Sequence, residues 1–126
     1  MSRLDELLEH ARTRLDRVDP ERAAREMDEG AVLIDVRSEY QRERDGVVPG
    51  AIWFPRNVLE WRCDPEGESR DPRVSAPETR LIVMCDAGYQ SSLAAATLQD
   101  IGLERATDLD GGFQAWRAAG LPVEPA

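Results

Sequence analysis

Lysine is absent from this chain, histidine occurs once, at His10, and cysteine twice, at Cys63 and Cys85. Two widely separated cysteines make neither a disulfide framework nor a metal site, and one histidine does not complete a zinc ligand set. Long apolar runs are also missing. Nothing approaches membrane-spanning length, and Met1-Ser2-Arg3-Leu4-Asp5-Glu6 lacks the apolar stretch of a signal peptide. A cytoplasmic location is therefore the expectation, where thiols stay reduced. Positive charge is in deficit: 16 arginines face 25 acidic residues, a net charge of −9. That balance argues against nucleic-acid binding through a basic face and against anionic membranes. It also means that an anionic substrate must be held by local arginines and backbone amides. Arginine suits that task better than lysine, because its planar fork matches an oxyanion.

What is present fits one ordinary α/β domain. A chain of 126 residues, 41% hydrophobic and 33% charged, is long enough for a single core. Leu4, Leu7, Leu8, Ala11 and Leu15 recur at helical spacing, so residues 1–16 read as an N-terminal amphipathic helix that packs on its own domain. His10 sits beside that stripe and reads as a surface residue on the helix flank. Residues 17–126 form the domain proper. Asp19 and Pro20 start a helix that Gly30 stops. Ala31 to Val36 is an apolar run broken only by Asp35, as in a buried parallel strand. An aspartate there needs a partner, and Arg37 or a backbone donor is the candidate. Both residues read as structural support. A short helix follows from Ser38, then a strand from Ala51 to Phe54, then a helical stretch from Arg56 to Arg62. Asp64 to Pro77 reads as a solvated loop. A last short strand covers Ala106 to Leu109, and a last helix covers Phe113 to Ala119. The alternation implies a mainly parallel sheet with helices on both faces.

One stretch carries chemistry. Leu81-Ile82-Val83-Met84 is an apolar strand that ends on Cys85. Asp86-Ala87-Gly88-Tyr89-Gln90 forms a short loop, and Ser91 and Ser92, both good N-caps, open an alanine-rich helix. Open α/β sheets place their sites at such strand ends. Helix amides without partners and a curled loop stabilise a thiolate there. A buried cysteine that packs as a small hydrophobe gives the same local pattern.

The Cys85-Asp86-Ala87-Gly88-Tyr89-Gln90-Ser91 loop resembles the active-site loop of rhodanese-type sulfurtransferases. Three other stretches agree in order and spacing. Leu33-Ile34-Asp35-Val36-Arg37 resembles the family's Asp-Val-Arg strand. Val48-Pro49-Gly50-Ala51-Ile52 resembles its Ile-Pro-Gly-Ala segment. Asp110-Gly111-Gly112-Phe113-Gln114-Ala115-Trp116 resembles its C-terminal Gly-Gly-Phe-x-x-Trp signature. Together they span nearly the whole chain and imply a single rhodanese-like domain preceded by the N-terminal helix.

The resemblance implies sulfur transfer through a Cys85 persulfide, from a thiosulfate- or persulfide-type donor to a thiol or cyanide. The resemblance also leaves room for a sulfur-acceptor protein as partner, and implies no metal or organic cofactor. The amides from Ala87 to Ser91 would stabilise the sulfur anion, by the logic of an oxyanion hole. Arg56 and Arg62 follow the Pro-Gly-Ala strand and are the expected anion contacts of the donor. Tyr89, Trp53 and Trp61 are candidates to shape the mouth. Departures from the family are Val47, where a histidine is frequent, Gln90, which brings no charge, and Asp86, which opposes an anionic donor.

Three alternatives stand beside this reading. A phosphatase or arsenate reductase needs an arginine closing the cysteine loop, and this chain has Ser91 at that place. A redox relay or persulfide carrier would use Cys63 with Cys85, which demands that their Cα atoms lie within about 7 Å. A non-catalytic interaction module would follow if Asp86 and Gln90 spoil the pocket.

Overall fold

The computed structural model describes residues 1–126. Its strands are β1 (Val32–Asp35), β2 (Ile52–Trp53), β3 (Leu81–Met84) and β4 (Thr107–Asp108). Its helices are α1 (Arg3–Thr13), α2 (Pro20–Asp28), α3 (Glu39–Asp45), α4 (Leu59–Cys63), α5 (Gln90–Asp100) and α6 (Gly112–Ala118). A single 3-10 turn at Arg56–Val58 runs into α4. The four strands form one parallel sheet in the order β2-β1-β3-β4. The connection after β1 leads to β2 on one side, and the connection after β3 leads to β4 on the other. The two central strands therefore flank a topological switch point, where open α/β sheets form a crevice at their carboxyl ends. Cys85 follows β3 directly, and Arg37 lies two residues beyond β1.

Alternation along the central strands divides the core in two. Ile34, Leu81, Val83 and Cys85 face one side and pack with Leu59 and Cys63 of α4 and Ala94, Ala95 and Leu98 of α5. Leu33, Ile82 and Met84 face the other and pack with Ala23 of α2 and Phe113 and Trp116 of α6. Both faces of the central strands are covered, and this is why β3 reads as an unbroken hydrophobic run.

The helix starts follow the sequence closely. Asp19 accepts from the Arg22 amide with Pro20 as the first helical residue, and Ser38 forms a reciprocal capping box with Gln41. Three expectations need correction. Only part of the α1 stripe packs on the domain: Ala11 is buried and Leu8 and Leu15 are half-buried, but Leu4 and Leu7 are exposed. The 64–77 loop is not simply solvated, since Val74 is fully buried in the core and Asp71 clasps Arg73 at 2.7 Å. Ser91 and Ser92 do not cap α5, which starts at Gln90 with no side-chain cap. Their hydroxyls instead satisfy a buried carboxylate, described below.

Candidate active site

The Cys85 side chain lies at the carboxyl end of β3, buried under its own loop. The amide of Gly88 donates to Cys85 Sγ at 3.1 Å. Gly88 adopts φ +87°, and a Cβ there would meet the Gly111 nitrogen at 2.7 Å, so both conformation and space require glycine. The carbonyls of Cys85, Asp86 and Gly88 are taken up by donors from outside the loop. Phe113 N donates to Cys85 O at 2.9 Å and Gln114 N to Asp86 O at 3.1 Å, both from the first turn of α6. The Gly88 carbonyl accepts from two guanidiniums, Arg12 at 2.8 Å and Arg17 at 2.9 Å. The amides of Ala87, Tyr89, Gln90 and Ser91 donate to no protein acceptor. A loop with committed carbonyls and free amides is an anion-binding device.

A buried carboxylate anchors the far side of this loop. Asp108, at the end of β4, is fully buried. It accepts from Ser91 Oγ at 2.7 Å, Ser92 Oγ at 2.8 Å and Arg17 Nε at 2.9 Å. Hydrogen bonds to a charged group contribute about 1.5–3 kcal/mol each, and a buried carboxylate without them would cost several. Burial works against the charge of Arg17, but its bond to Asp108 and the charges of Asp108, Asp110 and Cys85 outweigh burial and hold it above the ordinary arginine range. Arg12, Arg17 and Asp108 escape sequence reasoning. Arg17 and Asp108 stand 91 residues apart, and nothing local pairs them. The only local signal is Asp108 itself, an acid in a short stretch flanked by Ala106 and Leu109, which by the reasoning applied to Asp35 must have a partner.

The predicted residues fall into three groups. Asp86, Ala87, Gly88, Tyr89, Gln90 and Ser91 do form the loop. The Ser91 side chain, however, faces Asp108, so only its amide is left for a ligand. Asp86 does not simply point to water, because its carboxylate accepts from Gln114 Nε2 at 2.9 Å. Gln114 also donates to Asp45, which ties α6, α3 and the loop together. Tyr89 is exposed beneath Arg12, whose guanidinium carbon lies 5.6 Å from the ring centroid.

Asp35 and Arg37 form a buried pair. Arg37 donates to both carboxylate oxygens, at 3.1 and 2.8 Å, and to Gly46 O at 2.9 Å, and it stacks on Phe113 at 3.8 Å. Trp53 Nε1 donates to the Arg37 carbonyl, which fixes the first turn after β1. These residues are framework for the cleft.

The two donor arginines diverge. Arg56 lines an open hollow beside Gln90, together with Ser38, Trp53 and Asn57. Its charge is partly offset by Glu60 at 2.7 Å. Arg62 is not brought to the cysteine. Its guanidinium donates to the Ser69 carbonyl, lies 3.7 Å from Asp71 and sits over Phe54, so it anchors the 64–77 loop. Trp61 is exposed on α4. Val47 pairs its backbone with Glu124 and contributes no polar group. His10 is exposed on α1. Cys63 is fully buried in the core beneath α5, and burial, with Glu60 and Asp71 adding, pushes its thiol up to about 12. Both cysteines are free thiols.

A model of the rhodanese-like domain family matches residues 19–119. This chain belongs to the rhodanese-like family. Thiosulfate sulfurtransferase GlpE of Pseudomonas syringae is 30% identical over 105 residues, which cover 83% of this chain and 90% of that protein. A protein of unknown function from Rhodopseudomonas palustris, described as a possible tyrosine phosphatase, superposes with a TM-score of 0.88 at 31% identity. That match covers 98% of this chain and 96% of the other. Thiosulfate sulfurtransferase from Pseudomonas aeruginosa superposes with a TM-score of 0.70 at 26% identity, covering 89% of this chain and 20% of that longer one. The relatives support a sulfurtransferase-type role for this rhodanese-like domain. The family match begins at residue 19, so α1, Arg12 and Arg17 lie ahead of it.

Proposed function

We propose that this rhodanese-like protein moves sulfane sulfur through a persulfide on Cys85. The Cys85 thiolate attacks the outer sulfur of a donor. With thiosulfate, the S–S bond breaks and sulfite leaves with the bonding electron pair. Cys85 then carries one extra sulfur, as an anionic persulfide. An acceptor attacks that outer sulfur, cyanide giving thiocyanate and a thiol giving its own persulfide, and the Cys85 thiolate returns. The protein's part is covalent catalysis with electrostatic support. Gly88 N–H, 3.1 Å from Sγ, is the observation that carries the reading, since it is the first donor of a loop with committed carbonyls. The remaining free amides would receive the outer sulfur. Arg56, which lines the hollow beside Gln90, would meet an anionic donor.

The phosphatase description attached to the R. palustris protein does not suit this chain. Oxyanion clamping in such a loop needs a bidentate arginine, and Ser91 stands there with its hydroxyl given to Asp108. A relay through Cys63 is disfavoured by the full burial of that thiol and its strong preference for the neutral form.

The test is the intact mass of reduced protein after incubation with thiosulfate, alongside a Cys85→Ser control. The expected result is a gain of one sulfur atom, absent in the control and discharged by cyanide. No gain with thiosulfate or with a small persulfide donor would refute sulfur transfer and leave an interaction module.

A further inference from the structure

Arg12 belongs to α1, yet its guanidinium lies against the loop of Cys85. Nη2 donates to Gly88 O at 2.8 Å and Nε to Ser92 Oγ at 3.1 Å. Ser92 Oγ donates to Asp108, Asp108 accepts from Arg17, and Arg17 donates to the same Gly88 oxygen. These contacts close a ring of hydrogen bonds around one carbonyl. The peptide from Gly88 to Tyr89 is trans. In a trans peptide the N–H points opposite to the C=O. Holding the Gly88 oxygen at the arginines therefore turns the Tyr89 amide away from them, as a donor with no acceptor in the protein.

Charge separates the two arginines. Arg17 is balanced by Asp108 and by Asp110 at 3.2 Å. Arg12 is half-buried and forms no ion pair with any carboxylate. Asp5 and Glu9 of its own helix share its hollow without pairing to it. The other charged groups near the loop are Asp86, held by Gln114, the Arg17, Asp108 and Asp110 set, and Arg56 beside Gln90, which is paired with Glu60. In a chain of net charge −9, Arg12 is thus a cation without an ion-pair partner, set against the Gly88 carbonyl of the cysteine loop.

We propose that Arg12 is a positioning residue for Cys85, using α1 to hold the Gly88 carbonyl out of the loop and to supply positive charge at the cysteine loop. This inference rests on the reading of Cys85 as the reactive thiolate. It adds a role for a helix that precedes the segment shared with the family.

The test is the pH profile of iodoacetamide alkylation at Cys85 in the full-length protein, read by mass on the peptide containing that residue. The variants are Arg12→Gln, Arg12→Lys and, as control, Arg14→Ala. Arg14 also fastens α1 to α5, through Ala96 O and Asp100, but does not touch the loop. Arg12→Gln is expected to slow alkylation at neutral pH by about three- to tenfold, with the profile moved to higher pH, as removal of a partly screened charge produces. Arg12→Lys is expected to stay within about twofold of wild type because it keeps the charge, and Arg14→Ala to leave the profile in place. Equal profiles for Arg12→Gln and wild type, or equal shifts in Arg12→Gln and Arg14→Ala, would reduce Arg12 to a helix anchor and overturn the proposal. A wild-type Cys85 that resists alkylation at every pH would instead overturn the reading of the site itself.

Discussion

Replacing Gly112 with alanine puts a methyl group where the structure has backbone. Its Cβ would lie 2.5 Å from Cys85 O and 2.7 Å from both Asp86 C and Asp86 O. None of these is a flexible side-chain end, so relief requires α6 to move away from the cysteine loop. Gly112 also sits at φ +61°. Gly120, at the other end of the same helix, has φ +76° but open space around its Cβ position. Gly120→Ala therefore carries the conformational cost alone, about 1–2 kcal/mol. Gly112→Ala adds overpacking of about 1–3 kcal/mol, for a total of about 2–5 kcal/mol. At this chain length each kcal/mol lowers Tm by about 3–6 °C. Gly112→Ala should thus melt at least about 6 °C below wild type and clearly below Gly120→Ala.

The functional consequence is separable from the stability loss. Displacing α6 releases the Phe113 and Gln114 amides from Cys85 O and Asp86 O, so the carbonyls are no longer held. Sulfur loading of Cys85 should then slow well below the rate in Gly120→Ala at a temperature where both are folded. Thermal melts by circular dichroism and timed intact-mass spectra provide the two readouts. Equal melting of the two variants would refute the packing account. Normal loading in a destabilised Gly112→Ala would refute the link from α6 to the loop.

Two further predictions test the buried groups. Asp108→Ala strands Arg17 and the Ser91 and Ser92 hydroxyls and should cost about 3–5 kcal/mol in urea unfolding. Asp108→Asn, which keeps the shape and lets the hydroxyls reverse, should cost less than Asp108→Ala, and equal losses would count against the network. Cys63 should resist alkylation until the protein unfolds, and Cys63→Ala should leave sulfur loading of Cys85 unchanged. Its native thiol is pushed up to about 12, so the unfolded chain releases that proton first. Stability therefore falls as pH rises from the ordinary thiol range toward 12, on the order of 1 kcal/mol per unit. Cys63→Ala should flatten that alkaline slope, and an unchanged slope would assign it to other groups.

Much of the architecture was legible in local patterns. The apolar runs ending at Asp35 and Cys85 and the caps at Asp19 and Ser38 have causes within a few residues. They gave the parallel α/β class and the position of Cys85 at a strand tip. Tertiary structure decided what surrounds the sulfur. Arg12 and Arg17 reach Gly88 across 76 and 71 residues of sequence, Arg17 meets Asp108 across 91, and no periodicity encodes such a meeting. Serines that read as caps turned to a carboxylate from another strand, because a buried charge outweighs a helix end. Arg56 and Arg62 read alike on one stretch, yet one lines a hollow beside Gln90 and the other fastens a loop. Side-chain direction depends on where the chain returns, and that is fixed by the packing of both sheet faces and not by the order of residues.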